Sequence, residues 1–195
     1  MKKRLGQTVV LATAATVFAG AANAELNYDF LELRYVDAEL DAGSNDVDGD
    51  GFEFGGSYKI ADNVHLFGGY QTLDFDGVDV NALQIGGGYM TAISADTDLV
   101  ARLSYIDGEV EAGGLDFDDS GFGLSAGFRR MFTPEFEGRI FVNYADLDDS
   151  GSDTTLELAG DYYFNNQFAA GLSLDFGDDA TSWSIGGRYF FGAGR

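Results

Sequence analysis

A chain of 195 residues with 33 acidic and 11 basic side chains carries a formal charge of −22. That balance excludes nucleic acid as a partner, because phosphate binding needs a basic footprint. There is no Cys, one Pro and 28 Gly among frequent Phe and Tyr, a usage that suits many short strands better than helices.

The first segment reads "MKKRLGQTVVLATAATVFAGAANA". A basic start, an apolar stretch and Ala22-Asn23-Ala24 at its end predict a secretory signal peptide over 1–24, cleaved after Ala24. Residues 25–195 are then one domain, and without Lys2, Lys3 and Arg4 it holds 8 basic residues against 33 acids, a formal −25. An exported chain without disulfides needs another source of stability, such as a closed hydrogen-bonded barrel.

Ten five-residue units follow, each apolar, any, small or apolar, any, aromatic. In chain order they are "LELRY" (31–35), "FGGSY" (54–58), "LFGGY" (66–70), "IGGGY" (85–89) and "ARLSY" (101–105). Then come "LSAGF" (124–128), "IFVNY" (140–144), "LAGDY" (158–162), "LSLDF" (172–176) and "IGGRY" (185–189). The skipped positions are almost all Gly, Ser, Asn or charged. This period of two predicts strands with one apolar and one polar face.

The connections alternate in kind. After even units they are tight, as in "ADN" (61–63) and "TPE" (133–135). After odd units most are longer and acidic, as in "DAELDAGSNDVDGD" (37–50) and "IDGEVEAGGLDFDDS" (106–120). Those odd-unit connections hold 21 of the 33 acids and no Lys or Arg. Short turns at one end and long loops at the other predict an all-β, transmembrane, antiparallel up-and-down barrel. Ten strands are expected. Eight is the alternative if two weak units, such as the first, where Tyr28 and Phe30 fall out of phase, are not crossings.

A soluble sandwich would not require an aromatic at one fixed place in every strand, whereas a membrane barrel does. The expected girdles are Tyr35, Tyr70, Tyr105, Tyr144 and Phe176 at the outer interface, and Tyr58, Tyr89, Phe128, Tyr162 and Tyr189 at the inner one. The same register turns Arg34, Lys59, Arg102, Arg129, Arg139 and Arg188 into the lumen, with Glu32, Glu53, Glu157, Asp161 and Asp175. Opposite charges in a narrow, partly dry space should pair as an ionic network.

The C-terminal "SIGGRYFF" (184–191) resembles the closing-strand signal of bacterial outer-membrane barrels, with Ser184, Gly186, Tyr189 and Phe191 at its defining positions. In that class the chain usually ends on the last aromatic, whereas "GAGR" follows here. The resemblance, to the small porin-like and opacity-protein-like families, implies a bacterial outer-membrane location. It also implies contact with outer-membrane lipid, with the barrel assembly machinery and with periplasmic chaperones.

Three chemistries are open to such a barrel. Catalysis is not expected: the one His, His65, sits near a tight turn with no evident nucleophile partner. A calcium loop is suggested by Asp46, Asp48 and Asp50 in "DVDGDG", but the twelfth position is Ser57 and a strand follows, so divalent cations would bind loosely and no other cofactor is expected. The lumen is either a narrow cation-preferring channel or an ionic plug in a structural barrel. The alternative function is a surface-interaction or adhesion barrel whose acidic loops bind divalent cations or a partner. The sequence leaves the oligomeric state open.

Overall fold

The computed structural model describes residues 26–41, 46–178 and 180–191. The signal-peptide expectation, and the "GAGR" tail, lie outside the described residues. Ten antiparallel strands follow one another: β1 (Phe30–Asp41), β2 (Asp46–Ala61), β3 (Val64–Asp74), β4 (Val78–Ser94) and β5 (Thr97–Ala112), then β6 (Leu115–Thr133), β7 (Phe136–Leu147), β8 (Gly151–Tyr163), β9 (Phe168–Phe176) and β10 (Ala180–Phe190). Each pairs with its neighbour in sequence, and β1 pairs with β10 from Phe30↔Phe190 to Leu40↔Ala180, which closes the barrel. Closure leaves no free edge, so every strand finds partners on both sides. The ten-strand expectation holds; the eight-strand alternative does not.

The alternation that defines the strands also sorts their faces. Outward positions are apolar and exposed, as at Phe54, Ile85, Leu103, Phe122, Val142 and Ile185, each more than half exposed. Inward positions are buried or half-buried. Tyr28 and Phe30 are out of phase because they turn into the lumen, where they are 3% and 6% exposed. The first unit is therefore a true crossing with an aromatic foot.

One expectation needs correction. The acidic segments read as long loops are mostly strand. β1 and β2 stay in register to Asp41↔Asp46, and β5 and β6 stay in register to Ala112↔Leu115. Among the described residues, short turns remain at 75–77, 113–114 and 148–150, with Gly113 and Gly114 both at positive φ, and Gly177 and Asp178 leave β9. The reason is packing. On the inner side of the ribbons made by β1 to β4, Val36, Ala38, Leu73 and Phe75 form a small core, with Leu40, Val47, Val78 and Val80 against it. That apolar face holds the hairpins together beyond the main wall. The outer sides carry the acids, with Asp37 opposite Asp50, Glu39 opposite Asp48, Glu109 opposite Asp118 and Glu111 opposite Asp116.

Candidate functional site

The lumen holds the polar chemistry, in three layers. The layer at the short-turn end is closed. The chain before β1 runs inside it: Leu26 packs on two apolar clusters, one of Phe30, Met131, Tyr163, Ala169 and Phe190, the other of Tyr28, Met90, Val100 and Phe141. Four bonds tie this segment down. Tyr28 Oη donates to Asp98 Oδ2 at 2.9 Å, and Arg129 Nη2 donates to the Asn27 carbonyl at 3.1 Å. Lys59 N donates to Asp29 Oδ1 at 2.6 Å, and Phe191 N donates to the Asp29 carbonyl at 3.1 Å.

The same layer holds a buried ion pair, with Glu137 directly opposite Met131. Arg129 grips Glu137 with Nε to Oε1 at 2.7 Å and Nη2 to Oε2 at 3.1 Å, a two-pronged match of planar groups. Tyr163 Oη donates to the same carboxylate, and the Arg129 guanidinium lies 4.3 Å from the centre of the Tyr28 ring. Arg129, Glu137, Phe141, Val100, His65, Asp161 and Phe190 are each less than 2% exposed. They come from β3, β5, β6, β7, β8 and β10, so they fill the section from most of its circumference.

The middle layer is a network. Arg188 donates to Glu32 Oε2 at 2.8 Å, and Arg34 Nε donates to the same oxygen at 3.2 Å. Asp161 lies among Arg139 (3.4 Å), Arg188 (3.5 Å) and Arg34 (3.7 Å). Glu157 meets Arg139 at 3.9 Å. Arg102 stands apart from these pairs: its guanidinium lies 4.6 Å from the Phe141 ring centre and 5.4 Å from that of Phe67. Lys59 lies lower, beside a small cavity of about 190 Å³ near Tyr28 and Asp98.

The third layer is a polar cup of about 450 Å³ that continues toward the long hairpins. Glu53, Gln71, Gln84, Asn143, Thr155 and Asp175 are among its walls, and exposed Asp153 is near its mouth.

The other residues singled out from the sequence lie as follows. The ten aromatics Tyr35, Tyr58, Tyr70, Tyr89, Tyr105, Phe128, Tyr144, Tyr162, Phe176 and Tyr189 are all on the outer face. Ser184 is buried and accepts from Arg34 Nη1 at 3.3 Å, while Tyr189 and Phe191 face outward. Gly186 has a local cause: a Cβ there would come within 2.6 Å of Arg34 Cγ and 2.2 Å of the Leu33 carbonyl. Asp46, Asp48 and Asp50 lie exposed along one face of β2, spread by the strand rather than wrapped into a loop. Among the described residues no three His, Cys, Asp or Glu side chains group so as to hold a metal ion.

His65 is fully buried between Tyr28 and Phe67, with ring centres 5.0 and 6.0 Å away, and neither ring nitrogen has a protein hydrogen-bond partner. Sequence reasoning missed Glu137, Tyr163, Tyr28 and Asn27. Glu137 had a signal: it lies two residues before inward-facing Arg139, so the alternation carried one step past its unit turns it inward as well.

No family model matches the chain, and no curated protein matches it. Solved structures do. The β domain of the Bordetella autotransporter BrkA superposes with a TM-score of 0.52 at 13% identity, over 85% of this chain and 100% of that one. The KdgM porin gives a TM-score of 0.47 at 13% identity, over 82% and 99%. Ail, the attachment invasion locus protein of Yersinia pestis, gives 0.44 at 14% identity, over 85% and 100%. At such identities the likeness concerns the fold alone, an antiparallel β-barrel shared with the BrkA β domain.

Proposed function

We propose that this chain is a non-enzymatic barrel of the bacterial outer membrane, exported by a cleaved signal peptide, with a closed lumen and its acidic hairpins turned outward. Its apolar outer face would contact lipid, with the aromatics at the two interfaces. The observation that carries the closed-lumen reading is the buried layer of Arg129, Glu137, His65, Val100, Phe141, Asp161 and Phe190, backed by the segment from Leu26 to Asp29. Water and ions would have to displace paired charges and packed rings to pass it. This favours the ionic plug over the cation-preferring channel.

The outer ribbons support a second role beside the structural one. Like charges directly opposite each other on neighbouring strands are destabilising, yet Glu39–Asp48, Glu109–Asp118 and Glu111–Asp116 are such pairs. Divalent cations or a basic partner would relieve them, and attraction of this kind weakens with salt. During biogenesis, periplasmic chaperones would escort the chain, and the assembly machinery would recognise it through Ser184, Gly186, Tyr189 and Phe191. The test of the closed lumen is planar-bilayer recording of the full chain. Insertion without steady conductance is expected; a steady, cation-selective conductance would replace this reading with the channel.

A further inference from the structure

The charges that line the cup do not all cancel. Glu32, Asp161, Arg34, Arg139 and Arg188 satisfy one another in the middle layer. Among the described residues, no salt bridge within 4.0 Å reaches Glu53, Asp175 or Arg102. Among the described residues, Asp175 accepts only the Ser173 hydroxyl, at 3.0 Å, and Glu157 has only its long contact to Arg139.

The groups left unpaired, with Glu157 and its one long contact, are on different walls. Arg102 is on β5, whereas Glu53, Glu157 and Asp175 are on β2, β8 and β9. In a ring of ten, the arc from β8 through β10 and β1 to β2 lies across from β5. All four side chains line the same cavity. One wall therefore presents a guanidinium and the opposite arc presents carboxylates.

Two further features point to an occupant. Rings at Phe67 and Phe141 take up the guanidinium of Arg102, and its Nε has no hydrogen-bond partner. Its in-plane N–H groups form the fork that matches a planar carboxylate. Ser57 also lines the cup; it is 7% exposed, and its hydroxyl has no partner. A buried hydroxyl left without a bond is costly, so a polar group in the cup would be stabilising.

We propose that the cup binds a small zwitterion, its carboxylate on Arg102 and its ammonium among Glu53, Glu157 and Asp175. A simple anion would face the carboxylates, and a simple cation would leave Arg102 unmatched. Neither completes both walls.

The test uses the full chain folded in detergent micelles, where binding is read independently of conductance. Titration calorimetry at pH 8 compares the zwitterions 4-aminobutanoate and 6-aminohexanoate with hexylamine and hexanoate. At least one zwitterion should bind about tenfold more tightly than both single-charge probes, as expected for one added charged hydrogen bond. Arg102→Met, which keeps the apolar stem between the two rings, should weaken it about tenfold, and so should the pair Glu53→Gln with Asp175→Asn. Heat-modified gel mobility verifies that each variant is folded. Three results would overturn the proposal: hexylamine binding as tightly as the zwitterions, hexanoate doing so, or folded wild-type barrel binding none of the probes.

Discussion

Glu137 is the side chain whose charge matters most to the closed lumen. It is fully buried, it holds Arg129 at 2.7 Å, and it accepts the Tyr163 hydroxyl. Glu137→Gln keeps the shape but removes the charge. It strands a guanidinium that is 1% exposed. Breaking a buried pair from one side costs about 3–5 kcal/mol, and the remaining carbonyl can still accept one bond, so about 3 kcal/mol is expected. The control is the Arg130–Asp96 pair at a short turn, 40% and 37% exposed, where Asp96→Asn should cost about 0–1 kcal/mol. Adding Arg129→Met to Glu137→Gln should recover part of the loss, because no unpaired charge then remains in the lumen. Urea unfolding in lipid vesicles compares wild type with all three variants. A Glu137→Gln loss no larger than that of Asp96→Asn would refute the reasoning, and so would a double variant less stable than Glu137→Gln.

Further outcomes follow from the faces and the turns. Val142 faces outward and Asn143 inward, so Val142→Arg should destabilise the barrel by about 2–4 kcal/mol near the midplane and Asn143→Arg by less, read by heat-modified mobility and urea unfolding. A Cβ on Gly88 would sit 2.2 Å from His65 Cε1, so Gly88→Val should lower assembly yield, and His65→Ala should restore it. An epitope tag in the 148–150 turn should be reached by antibody on intact cells, and one at 165–166 should not; the opposite pattern reverses the topology. Hydroxyl donation by Ser94 and Thr97, with the Arg130 guanidinium, holds the Asp96 carboxyl below its usual range. A depressed carboxylate contributes stability above its unfolded pKa and loses it as pH falls through the folded one. Wild type and Asp96→Asn should therefore differ at pH 7 and converge as the pH falls past the ordinary Asp value of about 3.9 and on through the lower folded one, with unfolding midpoints as the readout.

The tyrosine period was enough to place ten strands, because lipid and lumen impose opposite demands on alternate positions. Strand ends were not legible in the same way. Runs such as "DAELDAGSNDVDGD" are dominated by Asp and Gly, which favour turns, and only Val36, Ala38, Leu40 and Val47 carried the phase of the ribbon. The direction of each lumen side chain follows from alternation, but its partner does not. Glu32 and Arg188 meet across the closure of β1 with β10, 156 residues apart, and Tyr28 meets Asp98 across 70. Such pairs depend on inter-strand register and on a segment that leaves the wall, neither of which is encoded in a local repeat.

The chain has no native cysteine, so single introduced thiols report cleanly on the lumen. Gln71→Cys would sit in the cup, and Ala169→Cys at a position 4% exposed in the floor. With the folded barrel in vesicles and a charged, membrane-impermeant thiol reagent added from the long-hairpin side, the cup thiol should react readily and the floor thiol should stay protected until urea unfolds the barrel. Equal reaction at both sites in the folded barrel would mean that the lumen is open from end to end.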